Sequence, residues 1–160
     1  MSTVHCLCGR ICSGKTHYAA KLVAEGAVLL SCDTLTLIMG RYAAPETFDA
    51  MAQEAKAYLH GMAERFLEKG VDVVLDWGFW TQSERDAVTA RYARAGHACR
   101  WYYMDCPKEA WMKNLADRQA DVAVGDRQVY AVDAGLLQKL EVRFEVPASD
   151  TMDVWIENRR

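Results

Sequence analysis

Short apolar runs along this chain alternate with stretches in which apolar residues recur every three or four positions. Continuous apolar runs suit strands buried on both faces, and the longer period suits helices laid across them, so the pattern predicts βαβ units around a parallel sheet. Five runs read as strands: "TVHCLC" before Gly9, "AVLLS" before Cys32 and Asp33, "VDVVL" ending at Asp76, "ACRWYYM" ending at Asp105, and "MDVWIE" near the C-terminus. Between them, Phe48, Met51, Ala55, Leu59, Met62 and Phe66 mark a long amphipathic helix that Gly70 ends. Thr81 followed by Glu84 forms a capping box and starts another helix through Val88 and Tyr92. Pro107 suits the first turn of a further helix carrying Trp111 and Leu115. No repeat, low-complexity tract or linker interrupts the pattern, and residues 1–160 are expected to form a single domain.

Composition narrows the function classes. With 160 residues and 51% hydrophobic content, the chain can bury a core unaided. A formal charge of −3 argues against a surface that holds long nucleic acid by electrostatics, although a polynucleotide end stays open as a partner. No stretch approaches the roughly eighteen apolar residues of a membrane span, and no signal-like segment opens the chain; a cytoplasmic protein without membrane partners is expected. The six cysteines include no CxxC pair, which favours reduced thiols, and the four histidines show no paired metal spacing.

The most informative stretch is "GRICSGKT" at residues 9–16, which follows the first apolar run and opens the helical segment "KTHYAAKLVAE". In that context it predicts a phosphate-binding loop, because backbone N–H groups of the turn and of the helix N-terminus converge on an anion. Gly9 and Gly14 let the backbone turn and approach closely, with Cys12 and Ser13 between them in the loop; Lys15 reaches the β- and γ-phosphates of ATP, and the Thr16 hydroxyl can ligate Mg²⁺. In an open α/β sheet the ligand sits outside the carboxyl ends of the strands, where Asp33 and Asp76 are expected. Asp76 reads as a carboxylate that holds Mg²⁺ through water or orients the acceptor. Asp33 reads as an acceptor of the proton from an attacking hydroxyl, or else as the N-cap of "TLTLIMG".

Phosphoryl transfer also needs cations over the moving group, and Arg118, Arg127 and Lys113 stand near a glycine-containing connection that would close over the nucleotide. Trp77, Phe79, Trp80 and Arg85 follow Asp76. The aromatic rings either stack on a planar acceptor or cap the core of the sheet, and Arg85 either clamps an acceptor oxyanion or lies exposed in the first helical turn.

The pieces "GRICSGKT", "LLSCD", "VVLDWGFWTQSERD", "EAWMKNLADRQ" and "FEVP" together resemble the small P-loop kinases grouped as AAA-type ATP-binding kinases, relatives of polynucleotide kinase, zeta toxin and chloramphenicol phosphotransferase. The resemblance implies a three-layer α/β P-loop NTPase fold of the nucleotide-kinase kind, with a five-stranded parallel sheet and a small lid around 116–131. It implies an ATP- and Mg²⁺-dependent phosphotransferase with Lys15 and Thr16 on the nucleotide and metal, Asp33 as general base, and Arg118 at the start of the lid. The acceptor is then a hydroxyl of a small molecule, nucleoside or polynucleotide end, held near Asp33, Asp76, Trp77 and Arg85. A regulatory ATPase switch, or a nucleotide-binding module without catalysis, is the alternative. A GTP switch is disfavoured because the chain lacks an N-K-x-D motif.

Overall fold

A computed structural model describes residues 2–40, 44–123, 132 and 134–158. The chain runs through β1 (Thr3–Cys8), α1 (Lys15–Ala24), β2 (Val28–Ser31), α2 (Cys32–Gly40), α3 (Phe48–Glu68), β3 (Val73–Gly78), α4 (Gln82–Arg94), β4 (Ala98–Asp105), α5 (Lys108–Ala123), α6 (Ala134–Arg143) and β5 (Val154–Glu157). The strands form one five-stranded parallel sheet in the order β2-β3-β1-β4-β5. The expected sheet is therefore present.

Strand alternation divides the core between two faces. Val4, Cys6 and Cys8 of β1, Val73, Leu75 and Trp77 of β3, and Trp101 and Tyr103 of β4 pack with Ala55, Leu59, Ala63 and Leu67 of α3 and with Val88 and Tyr92 of α4. Leu7, Val74, Tyr102 and Met104 pack on the other side with Ala19 and Leu22 of α1. Helices thus cover both faces of the sheet. A third cluster, Ile11, Trp111, Leu115, Val132 and Leu140, ties the loop after β1 to α5 and α6.

Local signals behave largely as expected. Thr81 caps α4, its hydroxyl accepting from the Glu84 N–H at 3.1 Å, but the Glu84 carboxylate takes the Trp80 N–H at 3.1 Å, one residue ahead of the usual reciprocal donor. The cap of α2 is Ser31, whose hydroxyl accepts from Thr34 N–H at 3.2 Å, and Asp33 lies inside the first turn. Helix α6 was not foreseen, although Leu136, Leu137 and Leu140 stand at helical spacing within its ten residues. Of the expected lid, residues 116–123 continue α5 as regular helix; the remainder through 131, including Arg127, lies outside the described residues. Among the described residues no helix is long and apolar enough to cross a membrane.

Candidate active site

The loop between β1 and α1 has a left-handed residue at Cys12 (φ 58°) and another at Gly14 (φ 100°). Glycine is needed at the second position, since a Cβ there would run into the Asn158 side chain as well as disfavour that φ. The N-cap of α1 is Gly14, which has no side chain to cap it, and the start of the helix borders the cavity above the loop. Three successive loop carbonyls are held from outside: Trp111 Nε1 donates to Ile11 O at 2.8 Å, Asn114 Nδ2 to Cys12 O at 3.0 Å, and Asn158 Nδ2 to Ser13 O at 2.9 Å. Because C=O and N–H point in opposite directions across a trans peptide, these anchors also fix the directions of the amides that follow. The Lys15 ammonium donates to Gly9 O at 3.0 Å and Arg10 O at 2.7 Å, which stations it within the loop.

Sequence reading missed the anchors. Asn114 precedes Arg118 by one helical turn, so their shared face was there to be noticed, whereas nothing in the sequence marks Asn158. If loop geometry is set this way, Asn114→Ala is expected to weaken binding of an ATP analogue about three- to tenfold, the worth of one hydrogen bond. Titration calorimetry checks this, and unchanged affinity would show that the anchor is dispensable.

Asp76, in the second half of β3, and Ser31, the last residue of β2, are register partners, and β3 runs on two residues beyond the expected end at Asp76. Thr16 Oγ1 donates to Asp76 Oδ2 at 3.3 Å, and Asp76 is only 6% exposed. Burial is the main reason its pKa is raised; the nearby Lys15 ammonium lowers it, the Asp33 carboxylate raises it and the Thr16 hydroxyl lowers it. A buried carboxylate oxygen beside a hydroxyl is a donor set suited to a hard divalent cation such as Mg²⁺. Among the described residues no group of three or more acidic, histidine or cysteine side chains gathers as a metal site.

Two adjoining cavities open at this end of the sheet. The first, about 630 Å³, has Cys12, Ser13, Gly14, Lys15, Thr16, Asp33, Asp76, Asn114 and Arg118 in its wall. The second, about 960 Å³, lies between α2, the first half of α3 and the β3–α4 connection, with Arg143 of α6 also in its wall. Asp33 is the one described residue that lines both. Gly9 stands behind the loop, where an added Cβ would meet Ser13 Oγ at 2.6 Å. Arg118 approaches Cys12 Sγ at 3.9 Å.

Trp77 is mainly a core residue, 7% exposed and set edge-on against the His60 ring, with a remaining edge on the second cavity. Arg85 lies beneath the site, 2% exposed; its guanidinium donates to Phe79 O at 2.8 Å and Gln82 Oε1 at 3.0 Å. Phe79 is itself left-handed, with φ 49°, a costly conformation for a bulky residue. Arg85 therefore braces the strained turn that carries Trp80 to the second cavity, and it is absent from the walls of both cavities.

A parallel sheet of this order, with a glycine-rich loop between β1 and α1, defines a P-loop scaffold of the nucleotide-kinase kind. The chain belongs to the AAA-domain family AAA_33, whose model matches residues 4–147. Its fold is similar to that of a provisional kinase from Chloroflexus aurantiacus, at 15% identity and TM-score 0.74, over 99% of this chain and 85% of that one. It is also similar to the Mycobacterium tuberculosis APS kinase CysC, at 17% identity and TM-score 0.66, over 99% and 90% of the two chains. A sugar kinase from Janibacter sp. matches at 18% identity and TM-score 0.63, over 98% and 86%. No curated protein shows a match to the chain.

Proposed function

We propose that this protein is an ATP-dependent kinase that transfers the γ-phosphoryl group of Mg·ATP to a hydroxyl of a small acceptor. The observation that carries this reading is the position of Asp33, a carboxylate shared by the wall of the phosphate-loop cavity and the wall of a second cavity large enough for an acceptor. A hydrolase would need only the first. The kinases of similar fold make phosphoryl transfer the natural chemistry to test.

In this mechanism the amides of the loop and of the α1 N-terminus cradle the β- and γ-phosphates, with Cys12, Ser13 and Gly14 contributing backbone. Lys15 leaves the carbonyls of Gly9 and Arg10 for the phosphate oxygens. Thr16 and Asp76 would hold Mg²⁺, which would supply charge neutralisation for the transferred group. Asp33 takes the proton of the acceptor hydroxyl as its oxygen bonds to the γ-phosphorus and the bond from that phosphorus to the bridging oxygen breaks, releasing ADP. Arg118 stabilises charge on the moving group, and Arg127, from its place in the sequence, is a second cation for the same purpose. Trp77 borders the acceptor cavity from β3, while Asp76 stays on the phosphate-loop side.

The direct test is transfer of γ-labelled phosphate to a panel of hydroxyl acceptors. A labelled acceptor is the expected product. Release of free phosphate alone, at a rate no acceptor changes, would favour the ATPase switch.

A further inference from the structure

We propose that the second cavity selects an acceptor that bears no phosphate of its own, namely a neutral or cationic small molecule whose hydroxyl is attached to a flat apolar group. This rests on the kinase reading above and adds the chemical class of the substrate.

The first argument is charge. The described charged groups of the cavity wall are the carboxylates of Asp33, Asp49 and Glu84 against the cations of Lys56 and Arg143. Lys56 is already engaged, its ammonium 2.6 Å from Glu84 Oε1, with both side chains about three-quarters buried. The other Glu84 oxygen accepts the Trp80 N–H at 3.1 Å, so this pair is built into the wall. Arg143 is exposed at the end of α6. Among the described lining residues, no pair of cations remains to grip a phosphate, whereas Asp33 and Asp49 would face it. Polynucleotide ends and sugar phosphates are recognised largely through such cations, and the described part of the wall sets the carboxylates of Asp33 and Asp49 against what those ligands carry.

The second argument is the apolar surface that the cavity offers. Trp80 contributes an indole ring from the β3–α4 connection, Trp77 only an edge, and Phe48 a ring at the start of α3 that is 50% exposed. Flat apolar walls next to carboxylates match a planar ligand, and a protonated amine on that ligand gains from both the ring faces and Asp49. The volume, about 960 Å³, suits one small molecule.

The test uses the full chain with a saturating non-hydrolysable ATP analogue and reads binding by tryptophan fluorescence. Matched ligands are a nucleoside with its 3′-monophosphate and an aryl amino alcohol with its monophosphate ester, together with a 5′-hydroxyl oligonucleotide. Label transfer from Mg·ATP is measured in parallel. Unphosphorylated members are expected to bind at least tenfold more tightly than their phosphorylated partners, and Asp49→Lys to narrow that gap. Asp49→Asn serves as the milder variant should the lysine disturb the start of α3. Equal or tighter binding of the phosphorylated members overturns the proposal, as does a failure of every unphosphorylated member to bind. The expected binding order without any labelled acceptor would instead defeat the kinase reading while leaving the selectivity of the cavity intact. Preferential labelling of phosphorylated acceptors would do the reverse.

Discussion

Asp33→Asn is expected to bind ATP with unchanged affinity and to transfer phosphate roughly two to four orders of magnitude more slowly, the usual contribution of a general base. The substitution keeps the shape of the side chain and its capacity to orient a hydroxyl, and removes only the ability to take a proton. Asp33 stands in the first turn of α2, where Ser31 already supplies the cap, so the helix has no need of the carboxylate. Calorimetry with an ATP analogue separates binding from chemistry, and single-turnover transfer measures the step itself. A variant that transfers at the wild-type rate would remove Asp33 from the role of base.

Asp76→Asn is expected to act in opposite directions on stability and activity. Burial raises the pKa of Asp76, so the folded state binds its proton more tightly than the unfolded state does. By linkage, the stability this group contributes in its protonated form is lost as pH rises from the ordinary aspartate range through the raised value, and ionised Asp76 is a net cost at neutral pH. The asparagine removes that cost. The nucleotide-free variant should therefore melt at a higher temperature than the wild type near neutrality, with the difference fading on acidification. Transfer should meanwhile fall by about two to three orders of magnitude, comparable with loss of one strong electrostatic stabiliser. Scanning calorimetry over a pH series, beside transfer assays at varied Mg²⁺, checks both; a variant less stable at neutral pH would contradict the assigned balance of burial and charge.

The sheet, the phosphate loop and the long helix were legible in the sequence because each rests on a local signal. Apolar runs mark buried strands, the glycine spacing marks the loop, and the six apolar positions from Phe48 to Phe66 mark one face of α3. Residues whose position depends on packing were harder to read. Arg85 looks like a surface charge beside a capping box, yet the left-handed turn at Phe79 draws it under the strand. Asn158 reaches the loop only because β5 pairs with β4 at the sheet edge, a relation no short stretch encodes. The second cavity is likewise assembled from α2, α3, the β3–α4 connection and α6, and its charge balance emerges only when they meet.

The grip of α5 on the phosphate loop has a mechanical consequence. Trp111 and Asn114 lie one turn apart and hold adjacent carbonyls, which makes the base of the helix and the loop a single rigid body. Any pivot in α5 must then fall beyond Asn114. Arg118 sits only one turn further along, with its guanidinium already 3.9 Å from Cys12 Sγ, so it needs no long swing to reach the loop.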